Sequence, residues 1–376
     1  MIELKGLTWD HPRGFDSIVA ATSLFEQSYP DIRITWCKRT LKEFGDQPLD
    51  QFINENDLLM IDHPFVGEAH KNGLLSKLEP LMSAHFLAEQ AKMHVGKSFE
   101  SYTYQNHQYA LPIDASAQFS AFHADVFLEK DIPRKWDQFL EMLSQYSFSK
   151  KVIWPLCPTD LWCSFLTLSA QIAGVKKKVF NENGLEQDIA QKAIEFLKNA
   201  SENIPRVNWK LNPIQALELM TKGNYAFSPI LFGYISYSKN RSPIRFANSI
   251  AYNPDQPISL LGGVGLAISA CSSHQRECAE FLKFVLRDEI LSGCYFENSG
   301  QPSNLSSWQS TGLNKQSENF FANTMETMKH AYVRPRVSGF NQFQETASHF
   351  LHKNLRKMSE FQLTKKMNHM FTKYCF

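Results

Sequence analysis

"DLLMIDHPFVGEAHKNGLLSKLEPLM", residues 57–82, decides how the chain is read. It opens on Leu58-Leu59-Met60-Ile61, four apolar residues with no polar break. A run that short and continuous suits a parallel strand buried on both faces. Asp62-His63-Pro64 then turns the chain, and the residues from Phe65 onward read as a helix and a turn. The triplet is not unique. Asp10-His11-Pro12 stands earlier in the chain, again directly after a strand-like run, "IELKGLTW". The helix after it has Phe15, Ile18, Val19, Thr22 and Phe25 at helical spacing, and Pro30 ends it. "DIRITWCKR" alternates Ile32, Ile34 and Trp36 against Arg33 and Thr35, as a half-buried strand does. This β-α-β-α-β rhythm predicts a doubly wound α/β lobe.

A second α/β unit begins after "YALPIDAS", residues 109–116. "PRKWDQFLEMLSQY" is an amphipathic helix, "KKVIWPLC" (150–157) reads as a strand, and "DLWCSFLTLSAQIAG" reads as a helix stopped by Gly174. "NPIQALELMTKGNYAFSPI" is helix then strand, "SLLGGVGLAISA" a glycine-punctuated strand, and the tail from about 313 mostly helical. Apart from the two triplets, no repeat of fixed period is visible.

The 376 residues are enough for two lobes, and 43% hydrophobic with 20% charged residues is ordinary for a soluble globular chain. Lys plus Arg total 39 against 38 for Asp plus Glu, which predicts no bulk attraction to nucleic acid or to an anionic membrane. No run of about eighteen apolar residues spans a membrane. The seven cysteines show no Cys-x-x-Cys pair, so no structural zinc is expected. Free thiols suit a reducing compartment, and "MIELKGLTWD" has no signal-peptide pattern. Two locations stay open: the cytoplasm if Met1 is the true start, or the periplasm or cell surface if a signal was removed. There is no Gly-x-Ser-x-Gly, P-loop or His-Glu-x-x-His. No cofactor is expected.

Four stretches, in order, give the chain a resemblance over nearly its whole length. They are residues 57–82; "YQNHQYALPIDASAQFSAFHADVFLEKDIPRKWDQFLEML"; "ALELMTKGNYAFSPILFGYI"; and "LLGGVGLAISACSSHQRECAEFLKFVLRDEI". Together they resemble the family 1 extracellular solute-binding proteins of ABC importers, the maltose-binding-protein-like group. The resemblance implies a two-lobe periplasmic-binding-protein fold of type II, with lobes at 1–112 plus 263–310 and at 113–262 plus 311–376. It also implies a multi-crossing hinge, a cleft that closes on one small polar ligand (a sugar or polyol), importer membrane subunits as partners, a monomer, and no catalysis.

The triplets keep three readings at this stage: ligand contact, helix capping by Asp10 and Asp62, or a metal site of two Asp and two His. Their place after strands, where helices begin, suits ligand contact. Asp offers acceptors and neutral His one donor and one acceptor, a set suited to vicinal hydroxyls. Resemblance supports contact and adds Trp9 and Phe65. Arg13 is a candidate clamp for an anionic group, its bland alternative a solvated surface charge. Asp114 is a candidate cleft group or a hinge turn residue. In the other lobe, resemblance assigns Asp160 as acid and Trp162 as stacking ring, against an N-cap and a core ring. It further assigns Phe232 or Tyr234 as a stacking ring, Phe340 or Phe343 as a late aromatic, and Arg334 or Arg336 as the partner of an anionic group. The expected arrangement is Asp10, His11, Asp62 and His63 on one cleft wall, facing Asp160 and Trp162. The rival readings are a cytoplasmic ligand sensor on this fold, and a thiaminase-I-like transferase with Cys157 or Cys163 as nucleophile.

Overall fold

The computed structural model describes residues 1–376, the side chains of Asp46 and Tyr146 excepted. The chain divides into two compact units. The first holds residues 1–116, 262–313 and 336–341, and the second 117–261, 314–335 and 342–376. Among the described residues, no helix is long and apolar enough to cross a membrane.

The first unit starts with β1 (Ile2–Trp9), α1 (Asp16–Ser28), β2 (Ile32–Arg39), the short α2 (Leu41–Asp46), β3 (Leu58–Ile61) and α3 (Val66–Asn72). β4 (Ala110–His123) carries the chain into the second unit, where α4 (Pro158–Ala173), β5 (Phe227–Phe232) and β6 (Ile244–Ala247) follow. The chain returns through β7 (Leu261–Ile268) to α5 (Gln275–Val285). β1 lies between β2 and β3, parallel to both, and β7 runs antiparallel to β3.

β3 explains why its four residues are apolar. Leu58 and Met60 enter a cluster with Ile18, Phe25 and Trp36, while Leu59 and Ile61 enter another with Phe65, Val66 and Tyr109. Successive side chains take opposite faces, and both faces are covered. Each such burial contributes roughly 1.5–3 kcal/mol.

In the second unit, β5 and β6 each pair antiparallel with the later half of β4. Residues 150–157 do not form the expected strand. They touch β5 through a single bridge between Val152 and Phe227. The Trp154 N–H donates instead to Asn208 Oδ1 (2.7 Å) and the Leu156 N–H to Asn208 O (2.9 Å). Pro155, between them, has no N–H to offer a ladder.

Residues 336–341 rejoin the first unit. Arg336 Nη1 donates to the carbonyls of Glu100 (2.5 Å) and Thr103 (2.6 Å). The returning backbone crosses α3 at Gly67, where a Cβ would lie 1.5 Å from Arg336 O. Only glycine admits that approach.

Candidate functional site

The two Asp-His-Pro triplets follow strands that pair in register. Gly6 pairs with Leu58 and Leu7 with Leu59. Beyond the ladder, Thr8 Oγ1 reaches Met60 Sδ at 2.9 Å across the same separation of 52 residues. β1 ends at Trp9 and β3 at Ile61, so one triplet follows the end of each of two paired strands.

The two loops are built differently. Gly14 and Phe15 both donate backbone N–H groups to His11 O (2.8 Å each), winding the chain toward α1. Gly14 lies against Trp9, whose ring a Cβ would meet at 2.4 Å. Asp10 does not cap this helix. It is exposed and pairs with Lys38 Nζ at 2.7 Å. Asp62 does cap, accepting the His63 N–H at 2.8 Å where a single 3-10 turn begins. The capping alternative thus holds for one triplet and not for the other.

The two imidazoles sit in different surroundings. His11 Nδ1 accepts the Arg13 backbone N–H (3.1 Å), so the ring proton sits on Nε2. Burial, with the Arg13 charge beside it, lowers the His11 pKa to about 4 and keeps the ring neutral at pH 7. His63, almost fully buried, holds Nδ1 3.1 Å from Asp62 Oδ1.

Arg13 and Asp114, expected separately as ligand groups, bind each other. Arg13 Nε donates to Asp114 Oδ2 (2.8 Å) and Nη2 to Oδ1 (2.5 Å), and both residues are buried. Burial pushes the Asp114 carboxyl above its ordinary range even against this cation. Asp114 lies in a segment pinned by Gln301. The Ala115 N–H donates to Gln301 O (3.1 Å), and Gln301 Nε2 donates to Ala115 O (2.7 Å). Trp9 packs on Phe44 with ring centroids 5.2 Å apart, and Phe65 and Phe340 are buried in this same unit.

The second unit carries Asp160, Trp162, Phe232, Tyr234, Arg334 and Phe343. Asp160, in the first turn of α4, accepts the Cys157 thiol at 3.0 Å. Burial first, and then the Asp160 charge, push that thiol far above the usual range. A nucleophilic cysteine needs the opposite, and Cys163 is buried. Trp162 is occupied by other rings, Phe165 at 5.2 Å and the edge of Phe343 at 5.5 Å. Its buried indole N–H has no acceptor among the described residues, so it can offer a donor rather than a face. Phe232 is half-buried, and Tyr234 is buried against Tyr237. Arg334 Nη1 lies 3.5 Å from Gln344 Oε1. Phe340 and Phe343 fall in different units, a division that nothing in "GFNQF" signals. Sequence reading also missed Lys38 and Gln301, the partners of Asp10 and of the Asp114 segment. Among the described residues, no group of three or more His, Cys, Asp or Glu is placed to hold a metal.

Two α/β units joined by several chain crossings define a periplasmic-binding-protein fold, and solved structures share it. The maltose-bound MalE3 of T. maritima aligns with a TM-score of 0.83 at 19% identity, covering 99% of each chain. A tagatose-bound solute-binding protein from Thermotoga lettingae gives 0.81 at 15%, over 98% of this chain and 100% of that one. A ribitol complex from Agrobacterium radiobacter gives 0.79 at 16%, over 99% and 98%. No curated protein matches the chain in sequence. The family model for bacterial extracellular solute-binding proteins matches residues 25–313, and the chain belongs to that family.

Proposed function

We propose that this protein captures one small hydroxyl-rich ligand, a carbohydrate or polyol, and delivers it as a monomer to the membrane subunits of an ABC importer outside the cytoplasm. The observation that carries the reading is that two adjacent parallel strands, β1 and β3, each lead into an Asp-His-Pro loop. Carboxylate and imidazole side chains supply acceptors and donors of the kind that neighbouring hydroxyls match. The maltose, tagatose and ribitol held by proteins of the same fold support this ligand class. The protonated, hydrogen-bonded Cys157 supports binding without turnover. The seven cysteines, none in a disulfide among the described residues, favour a second reading, a ligand sensor kept in a reducing compartment. Cell fractionation separates the two.

The test is a thermal-shift and calorimetric screen of maltose, tagatose, ribitol and related polyols. A ligand at a hundred times its Kd stabilises by about 2.7 kcal/mol and raises the melting point by several degrees. His11→Ala and His63→Ala are each expected to weaken that ligand at least tenfold. A panel with no response, or a response untouched by both substitutions, defeats the reading.

A further inference from the structure

Beside the first triplet lies a buried cation that the proposed sugar contacts do not use. Arg39 ends β2 and stands opposite Trp9, the last residue of β1, in the strand register. It is only 4% exposed. Its guanidinium carbon sits 5.2 Å from the centre of the Phe44 ring and 5.1 Å from that of Phe52. Nη2 donates to Met60 O at 3.0 Å. Nε and Nη1 are buried and have no acceptor among the described residues, and the same is true of Trp9 Nε1. Trp9 in turn packs on Phe44, so these donors share one aromatic surround.

The charge is left uncompensated. Burial lowers the Arg39 pKa to about 10, which still leaves it charged at pH 7. Glu43 is the carboxylate whose field reaches it, but Glu43 is otherwise engaged, accepting the Thr40 N–H at 2.7 Å in a capping box. Asp10, on the neighbouring loop, is taken by Lys38. A desolvated cation is destabilising when unpaired, and ring faces offset only part of that cost. Donors without acceptors around a buried positive charge make an environment that an anion completes. Phe52 is the half-buried wall of the sandwich and Phe44 the buried one, which puts entry on the Phe52 side.

We propose that Arg39 and Trp9, walled by Phe44 and Phe52, form an anion site at the ends of β1 and β2 that takes a carboxylate or phosphate group. The group has two possible sources: the acidic end of the captured ligand, which would make that ligand an acidic sugar rather than a neutral one, or a resident inorganic anion. The first source rests on the sugar-capture reading and the second does not.

The experiment titrates the full chain with gluconate and glucose 6-phosphate, their neutral counterparts sorbitol and glucose, and inorganic phosphate, at constant ionic strength. Wild type is compared with Arg39→Met, which fills the space between the rings without charge, and with Arg39→Lys. An acidic probe is expected to bind at least tenfold more tightly than its neutral counterpart, and to lose at least tenfold in Arg39→Met. Arg39→Lys should fall between, since an ammonium lacks the planar fork. Binding by the acidic sugars but not by phosphate assigns the anion to the ligand, and equal binding by phosphate assigns a resident ion. In anion-poor buffer Arg39→Met is also expected to melt above wild type, the order narrowing as the binding anion is added. The site is refuted if no anion binds, if anions bind Arg39→Met as well as wild type, or if Arg39→Met melts no higher. Neutral-sugar binding that ignores Arg39 would sink this proposal and leave sugar capture standing. Arg39-dependent binding of phosphate with no sugar response would do the reverse.

Discussion

Arg13 and Asp114 can be separated from the ligand question by a double-mutant cycle. Arg13 makes two bonds to Asp114, at 2.8 and 2.5 Å, and both side chains are almost wholly removed from water. Breaking such a pair from one side strands a buried charge and typically costs about 3–5 kcal/mol. Replacing both partners by apolar side chains of similar volume is often neutral, because desolvation of the two ions consumes much of their attraction. The raised Asp114 pKa carries that sign, burial outweighing the cation. Arg13→Met and Asp114→Leu are therefore each expected to lose about 3–5 kcal/mol, while the double variant loses about 1 kcal/mol, a coupling of several kcal/mol. Urea denaturation followed by tryptophan fluorescence reads these differences.

The same variants decide whether the pair holds the fold or the ligand. If it serves to join the loop after β1 to the segment ahead of Ala115, the double variant folds and binds the sugar found in the screen within a few-fold of wild type. If the two groups touch the ligand, the double variant is stable but loses binding by a factor of ten or more. Losses in stability that simply add across the cycle would refute the claim that the pair acts as a unit.

Two further outcomes are expected. His94, buried and bonded to Ser303 Oγ (3.0 Å) and Gln90 Oε1 (3.1 Å), has its pKa lowered by desolvation from 6.5 to about 4. The unfolded chain takes up that proton first, so stability is full above pH 6.5 and declines as pH falls toward 4, by up to about 3 kcal/mol from this group. Denaturation midpoints measured between pH 7 and 4.5 check this, and His94→Gln should flatten the decline. Gly67→Ala would place a Cβ 1.5 Å from the Arg336 carbonyl, a backbone atom that cannot turn aside. It is expected to cost about 1–3 kcal/mol and to speed proteolysis near residues 336–341, whereas Gly45→Ala, with nothing near its Cβ, should not.

How much of this was legible depended on whether a signal was local. β3 could be read from four residues, because burial on both faces leaves an unbroken apolar run at any position in the chain. The strand expected at 150–157 could not be corrected, because the group that replaces its ladder, Asn208, lies some fifty residues away. The same holds for Arg13 and Asp114, whose separation |i−j| of 101 hides a contact that only folding creates. Their residue types announced charge and said nothing of whether the charge was spent. The triplets are the intermediate case. Their repetition was visible, but adjacency required knowing that β1 and β3 are neighbours in register. Arg39 shows the limit most sharply. At the end of "DIRITWCKR" it looks like one of several solvated charges, and Arg33, six residues before it, is indeed about half exposed in an ordinary surface pair with Glu26. What distinguishes Arg39 is the company of Trp9, Phe44 and Phe52, drawn from a neighbouring strand, a short helix and a later turn. A buried charge is a statement about surroundings, so whether Arg39 waits for an anion depends on what those three side chains exclude.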